Sequence, residues 1–197
     1  ASSSVDVTTS IFTDGVLAAG VGLGIKRNGY AKKEPTEGDS IIGICTSSTA
    51  GIGIDIYSKV ILEDMRNGVN DYIEELDEIA GEAMITPPPN YANLIQKLYD
   101  SFDVKDIIPI SKLGLVPDIA AVTGGEDKIK IQPSDWEYPK IIKLMQKEAN
   151  LTDDFIIKHF NAGIGLTIIV DEKVELPILL ELNEMGVEAY SIGKIIK

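Results

Sequence analysis

The sequence predicts an α/β (or α+β) fold in which helices cover at least one face of a sheet, and three observations carry that reading. Short apolar stretches bounded by glycine and polar turns alternate with amphipathic stretches of helical period along the whole chain. At 197 residues, 44% hydrophobic and 25% charged, the chain is long enough to bury a real core and too apolar to be disordered. Neither an internal repeat nor a low-complexity linker divides it.

The elements follow in order. "DGVLAAGVGLGI" (14–25) reads as a strand with three glycines on one face, where something packs close. "NGYAKKEPTEGD" (28–39) is a polar connector with turn residues at both ends, and "SIIGICT" (40–46) a short buried strand. "SSTAGIG" (47–53) is a glycine-bearing turn leading into a helix over 54–65. Residues 69–84 space their apolar side chains at a helical period and turn an acidic face to solvent. A helix over 86–102 starts at Thr86 with a proline in its first turn. Residues 103–114 are a loop or short strand, 115–122 a short helix, and the alternating 127–132 an edge strand. Amphipathic helices over 138–150 and 152–160 precede a strand over 163–171. A helix over 173–185, ended by Gly186, and a strand over 187–196 close the chain. The first strands look abrupt, as if an earlier part of the protein preceded them.

Charge and cysteine content narrow the function. Eighteen Lys and Arg against 31 Asp and Glu give a net charge of −13, which argues against nucleic acid as the main partner, because neutralising phosphates takes clustered cations. The single cysteine, Cys45, excludes an internal disulfide and a cysteine-cluster metal site, and points to a reducing cytoplasm. No apolar run reaches the roughly 20 residues of a membrane span, and the first ten residues lack the pattern of a signal peptide. The richness in isoleucine, lysine and glutamate is compatible with a thermophile.

Several stretches together resemble one family. "HFNAGIGLTIIV" (159–170) is similar to a TFN-x-G-[VI]-G turn that runs into an apolar strand. "MGVEAYSIGKI" is similar to a closing G-E-x-A-x-x-I-G-x-I. "AAGVGLGIKRNGYAKKEPTEGDSIIGICTSS" follows a strand, basic connector, Gly-Asp and strand to Ser-Ser, and "SDWEYPKIIKLMQKEANLTDDFIIKHFN" supplies a tryptophan, a proline and two helices in order. These are the marks of the C-terminal half of aminoimidazole ribonucleotide synthetase, the phosphoribosylformylglycinamidine cyclo-ligase of purine synthesis, and the chain resembles that superfamily over nearly all its length. The resemblance implies a mixed sheet with helices packed mainly on one face. It also implies a domain over 16–197, preceded by a leader or the end of another domain over 1–15. ATP and Mg2+ would be held by an N-terminal ATP-binding domain or a separate subunit, not by this chain alone. A small phosphorylated or carboxamide substrate would lie in the cleft between the two, and the full-length protein would be a homodimer.

The cleft loops depart from the family. Its S-S-G-P-H-S-N-G reads "SSTAGIGI" here: Ser47 and Ser48 persist, but the histidine position is Gly51 and the asparagine position Gly53. Its A-P-T-R-I-Y becomes "TPPPNY", with Pro89 in place of arginine, so a bidentate guanidinium is missing. Counting residues places the family's L-T-G-G-G loop on "ISKLG" (110–114), which keeps Gly114 and gains Ser111 and Lys112; "TGGE" (123–126) becomes a helix-to-strand turn.

The candidate binding residues are therefore Ser47, Ser48, Thr49, Ser111, Lys112, Gly114, Asn161 and Gly163. Hydroxyls at a strand-to-helix turn can hold an anion or simply cap the helix. Asn161 suits a tight bend, with Gly163 and Gly165 allowing close backbone approach. His159 reads as a partly exposed residue at a helix end, and no Ser-His-Asp triad can be assembled around it. Two functions fit: an ATP-dependent enzyme of the ligase or kinase type, or a non-catalytic domain that keeps the fold and binds a metabolite or partner.

Overall fold

The computed structural model describes Val21, residues 33–111 and residues 113–197. The expected strand over 14–25 and Lys112 lie outside these residues. In chain order the elements are β1 (Ser40–Cys45), α1 (Ile54–Tyr57), β2 (Tyr72–Ile73), β3 (Glu78–Ile79), α2 (Ala80–Ile85), α3 (Ala92–Ser101) and β4 (Val104–Pro109). After them come α4 (Leu115–Thr123), β5 (Ile129–Ile131), α5 (Lys140–Ala149), α6 (Asp153–His159), β6 (Ile164–Val170), α7 (Glu172–Glu184) and β7 (Ala189–Ile195).

Five strands form one sheet in the order β4-β6-β1-β7-β5. Every pairing described in it is antiparallel. β1 lies at the centre and is buried on both faces, which is why its sequence is a continuous apolar run. Ile41 belongs to one core with Ile164, Ile192 and side chains of α4, α5 and α6. Ile42 and Ile44 belong to a second core with Leu166, Ile168 and Val170, covered by Leu94 and Leu98 of α3 and Ile178 and Leu182 of α7. Most helices thus pack on one face, and α3 with α7 closes the other.

Helix ends follow local chemistry. Thr152 caps α6 by accepting from the Phe155 N–H at 3.3 Å, and Asp171 caps α7 by accepting from Lys173 N–H at 3.0 Å. Gly124 takes a left-handed conformation (φ 89°) at the end of α4, and Gly186 does the same (φ 70°) after α7.

Three stretches differ from expectation. The helix expected over 69–84 is a β2–β3 hairpin followed by the short α2. The spacing that suggests a helix also lets Ile73 and Leu76 be buried from a hairpin and Ala83 and Met84 from α2. Asp77 at φ 60° and its N–H bond to the Ile73 carbonyl (2.9 Å) close the turn. The helix expected from Thr86 begins only at Ala92. Three consecutive prolines, Pro87 to Pro89, offer no N–H donors and hold their predecessors extended, and Asn90 Oδ1 then accepts from Ala92 N–H at 3.0 Å. The helix over 54–65 is present but widens after Tyr57 into π-helical turns over Ser58–Asp64, with Met65 N–H bonded to the Val60 carbonyl at 2.9 Å.

Sheet register gathers four chain segments at one end. Cys45 pairs with Ile164, Pro109 with Leu166 and Ile44 with Ala189, so the exits of β1 and β4 and the starts of β6 and β7 lie side by side. At the opposite end Ile129 pairs with Ile195, and the Ile196 N–H bonds to the Lys128 carbonyl at 2.7 Å. The 123–128 turn belongs to that far end.

Candidate functional site

The turn over 160–165 locks the near end together. Asn161 is 2% exposed; its Nδ2 donates to the Ser48 carbonyl at 2.8 Å, and its own carbonyl accepts from Ile164 N–H at 2.8 Å. Ala162 takes the left-handed conformation (φ 51°), and its carbonyl accepts from the Trp136 indole at 2.7 Å. Gly163 follows at φ 79°, and a Cβ there would stand 2.4 Å from Pro139 Cδ. At Gly165 the register of β6 against β1 shifts, and a Cβ would stand 2.1 Å from the Tyr91 hydroxyl. The two glycines are needed because a proline and a phenol pack directly against backbone.

The 46–53 turn is tied down in the same way. Thr46 N–H bonds to the Gly163 carbonyl at 2.8 Å. The Ser48 hydroxyl donates to the Thr86 carbonyl and accepts from Ala50 N–H at 2.9 Å. The Thr49 hydroxyl donates to the Met84 carbonyl at 2.8 Å and accepts from Gly51 N–H at 3.3 Å. Both side chains are buried and hold the end of α2 in place, whereas Ser47 is exposed. Ser111 turns toward α4: its N–H and hydroxyl reach the buried Asp118 carboxylate at 2.6 and 2.9 Å. Gly114, at φ 107°, lets the backbone pass beside α6, where a Cβ would stand 2.4 Å from the Lys158 carbonyl.

Beside these turns lies an open cleft of about 470 Å³. Ser47, Gly163, Thr46 and Cys45 form one side. Glu137, Lys140, Lys143 and Glu188, none of them singled out from sequence, form the rest together with Tyr138 and Pro139. Asn161, Ser48 and Thr49 support the cleft from behind, while Ser111 and Gly114 sit on the β4 side of the turn and do not line it. The charged groups escaped notice because α5 is strongly amphipathic, and lysines on such a helix read as a solvated face.

Electrostatics make part of the cleft inert. Burial, and then the nearby Glu188 carboxylate, pushes the Cys45 thiol up to about 12, so it stays protonated at neutral pH. Burial also raises the Tyr138 phenol, helped by Asp153. The Lys143 ammonium holds the exposed Glu137 below its ordinary range. His159 is exposed at the end of α6, with its ring 4.3 Å from that of Phe155 and no nucleophile hydrogen-bonded to it among the described residues.

Fold and cleft first define a class: an α/β domain whose sheet presents a small-molecule-sized cleft at one end. Its architecture is that of a thiamine-monophosphate kinase from Stenotrophomonas maltophilia K279a, at TM-score 0.62 and 11% identity over 88% of this chain and 52% of that one. A hydrogenase maturation protein from E. coli aligns at TM-score 0.53 and 23% identity, covering 82% of this chain and 45% of that chain. A third solved structure, AaThiL complexed with AMPPCP and TMP, aligns at TM-score 0.54 and 14% identity, with 84% and 47% covered. No protein-family profile matches. Among curated proteins, the phosphoribosylformylglycinamidine cyclo-ligase of Citrifermentans bemidjiense is 31% identical over 162 residues, 82% of this chain and 47% of its own length. The Syntrophus aciditrophicus cyclo-ligase is 30% identical over 181 residues, 91% of this chain and 52% of its own. The chain is thus similar to the phosphoribosylformylglycinamidine cyclo-ligases over 82% to 91% of its own length, and it spans about half the length of the curated relatives it matches.

Proposed function

We propose that this chain is the substrate-cleft domain, C-terminal in type, of an ATP-dependent enzyme of the ligase or kinase kind acting on a small phosphorylated or carboxamide substrate. What carries the reading is the open cleft of about 470 Å³ at the end of the sheet where the 45–49, 137–143 and 161–163 segments meet. Clefts of that size, with a few polar groups on rigid strand ends, suit a metabolite. Support for ATP comes from the relatives: a structural neighbour is described as complexed with AMPPCP and TMP, and the curated relatives are cyclo-ligases.

ATP and Mg2+ would be supplied from elsewhere in the protein. Among the described residues no group of three or more His, Cys, Asp or Glu is placed to hold a metal ion. In this reading an N-terminal ATP-binding domain or separate subunit completes the cleft, the full-length protein is a homodimer, and the setting is cytoplasmic. No described helix is long and apolar enough to cross a membrane.

One observation favours a second reading. Gly51, Gly53 and Pro89 stand where the resemblance expects histidine, asparagine and arginine, so the domain could bind a metabolite without catalysis. Calorimetric titration of the protein as the cell makes it with Mg·AMPPCP separates the two. The enzyme reading expects saturable heat; silence at millimolar nucleotide removes it and leaves the binding domain.

A further inference from the structure

We propose that Lys140 and Lys143, one turn apart at the start of α5, form the subsite for the anionic group of a phosphomonoester ligand. The inference rests on reading the cleft as a substrate cleft, and it narrows the ligand class. Acidic side chains outnumber basic ones, 31 Asp and Glu against 18 Lys and Arg, yet two lysines line this one cleft. Both also line an adjoining hollow of about 220 Å³ with Lys147, so α5 presents three ammonium groups on one face.

Ion-pair accounting separates the three. Lys143 is held by Glu137, and Lys147 by Glu148 at 2.9 Å and Glu75 at 3.5 Å. Lys140 is exposed and has no ion-pair partner among the described residues. Like charges one turn apart repel, and a dianion set between Lys140 and Lys143 would relieve that repulsion. The arginine that the resemblance expects at Pro89 is missing, so these lysines are the cations the cleft offers in its place.

The carboxylates of the cleft shape the rest of the ligand. Glu137 is already committed to Lys143, and Glu188 accepts from the Tyr190 hydroxyl at 3.1 Å with further acceptor capacity left. Ser47 presents an exposed hydroxyl on the facing side. A ligand with a phosphate at one end and hydroxyl or amide donors at the other matches this arrangement. A ligand with two anionic ends would meet the glutamates and be disfavoured.

The test is titration of the protein as the cell makes it with ribose 5-phosphate, ribose and inorganic phosphate as separate probes. The phosphate ester is expected to bind, phosphate to compete with it, and ribose to be silent. The double variant Lys140→Gln/Lys143→Gln is expected to weaken ribose 5-phosphate at least about tenfold, with the melting midpoint unchanged. Lys147→Gln is the control, expected to stay within about twofold. Wild-type affinity in the double variant, equal binding of ribose, or no binding of the ester to the wild type would each overturn the inference. Mg·AMPPCP titration of the same variant made in the protein as the cell makes it decides the broader reading separately, since its heat should not depend on these lysines.

Discussion

At the scale of single residues, Gly163 and Asn161 carry the clearest consequences. Gly163 combines a left-handed φ of 79° with a proline ring 2.4 Å from where a Cβ would stand. Gly163→Val should therefore lower stability by more than about 1 kcal/mol, seen as a lower urea midpoint at unchanged slope. The turn itself is legible in the sequence, because Asn followed by closely spaced glycines signals a tight bend. What Asn161 holds is not legible: its partner, the Ser48 carbonyl, is 113 residues away in sequence. Ser48 and Thr49 show the same limit, since their hydroxyls point into carbonyls of the α2 end that only folding brings near.

Cys45 gives a pH-dependent prediction. Its thiol is raised from the model-compound value of 9.0 to about 12 by burial and then by Glu188. Between these values the unfolded chain gives up its thiol proton while the folded chain keeps it, so stability falls as pH rises from about 9 toward 12 and is unaffected below. At pH 8 the native thiolate fraction is lower by roughly a thousandfold. Alkylation by iodoacetamide should accordingly be at least about a hundredfold slower in the folded chain than in urea; comparable rates would contradict the burial assigned to it.

At the scale of elements, the sequence located most strands and helices because their hydrophobic periods are unambiguous. The strand over 163–171 contracts only to Ile164–Val170, and the helix over 138–150 to Lys140–Ala149. The failure over 69–84 has a physical cause: alternate burial from a hairpin and burial from a helix place apolar residues at similar intervals when the strands are two residues long. The backbone after the π-helical turns offers a test at this scale. Arg66 is exposed and sits at φ 60°, a conformation costly for any residue with a Cβ. Arg66→Gly should raise stability by a few tenths to about 1 kcal/mol, net of the entropy glycine adds to the unfolded state. A lower melting midpoint would show that the arginine side chain makes contacts worth more than the strain.

At the scale of the whole molecule, the fold class and the likeness to the cyclo-ligases were legible because several motifs recur in the right order over nearly the full chain. Strand order was not legible, since pairing depends on contacts between segments far apart in sequence: β1 bonds to β6 and β7, more than a hundred residues later. The cleft was half legible. Ser47 and Gly163 came from motif positions, but Glu137, Lys140 and Lys143 reach it only because the start of α5 lies beside the exit of β1 and the start of β6, and Glu188 because β7 starts there too. The 123–126 turn, tempting by composition, lies at the other end of the sheet.

The central claim is that the end of the sheet where β1 exits and β6 begins is the ligand-binding end. Amide chemical-shift mapping of the chain titrated with ribose 5-phosphate tests it most directly. The account predicts shifts confined to residues 45–48, 137–143, 161–165 and 187–189. Shifts centred on residues 123–128, or spread evenly over the surface, would contradict it.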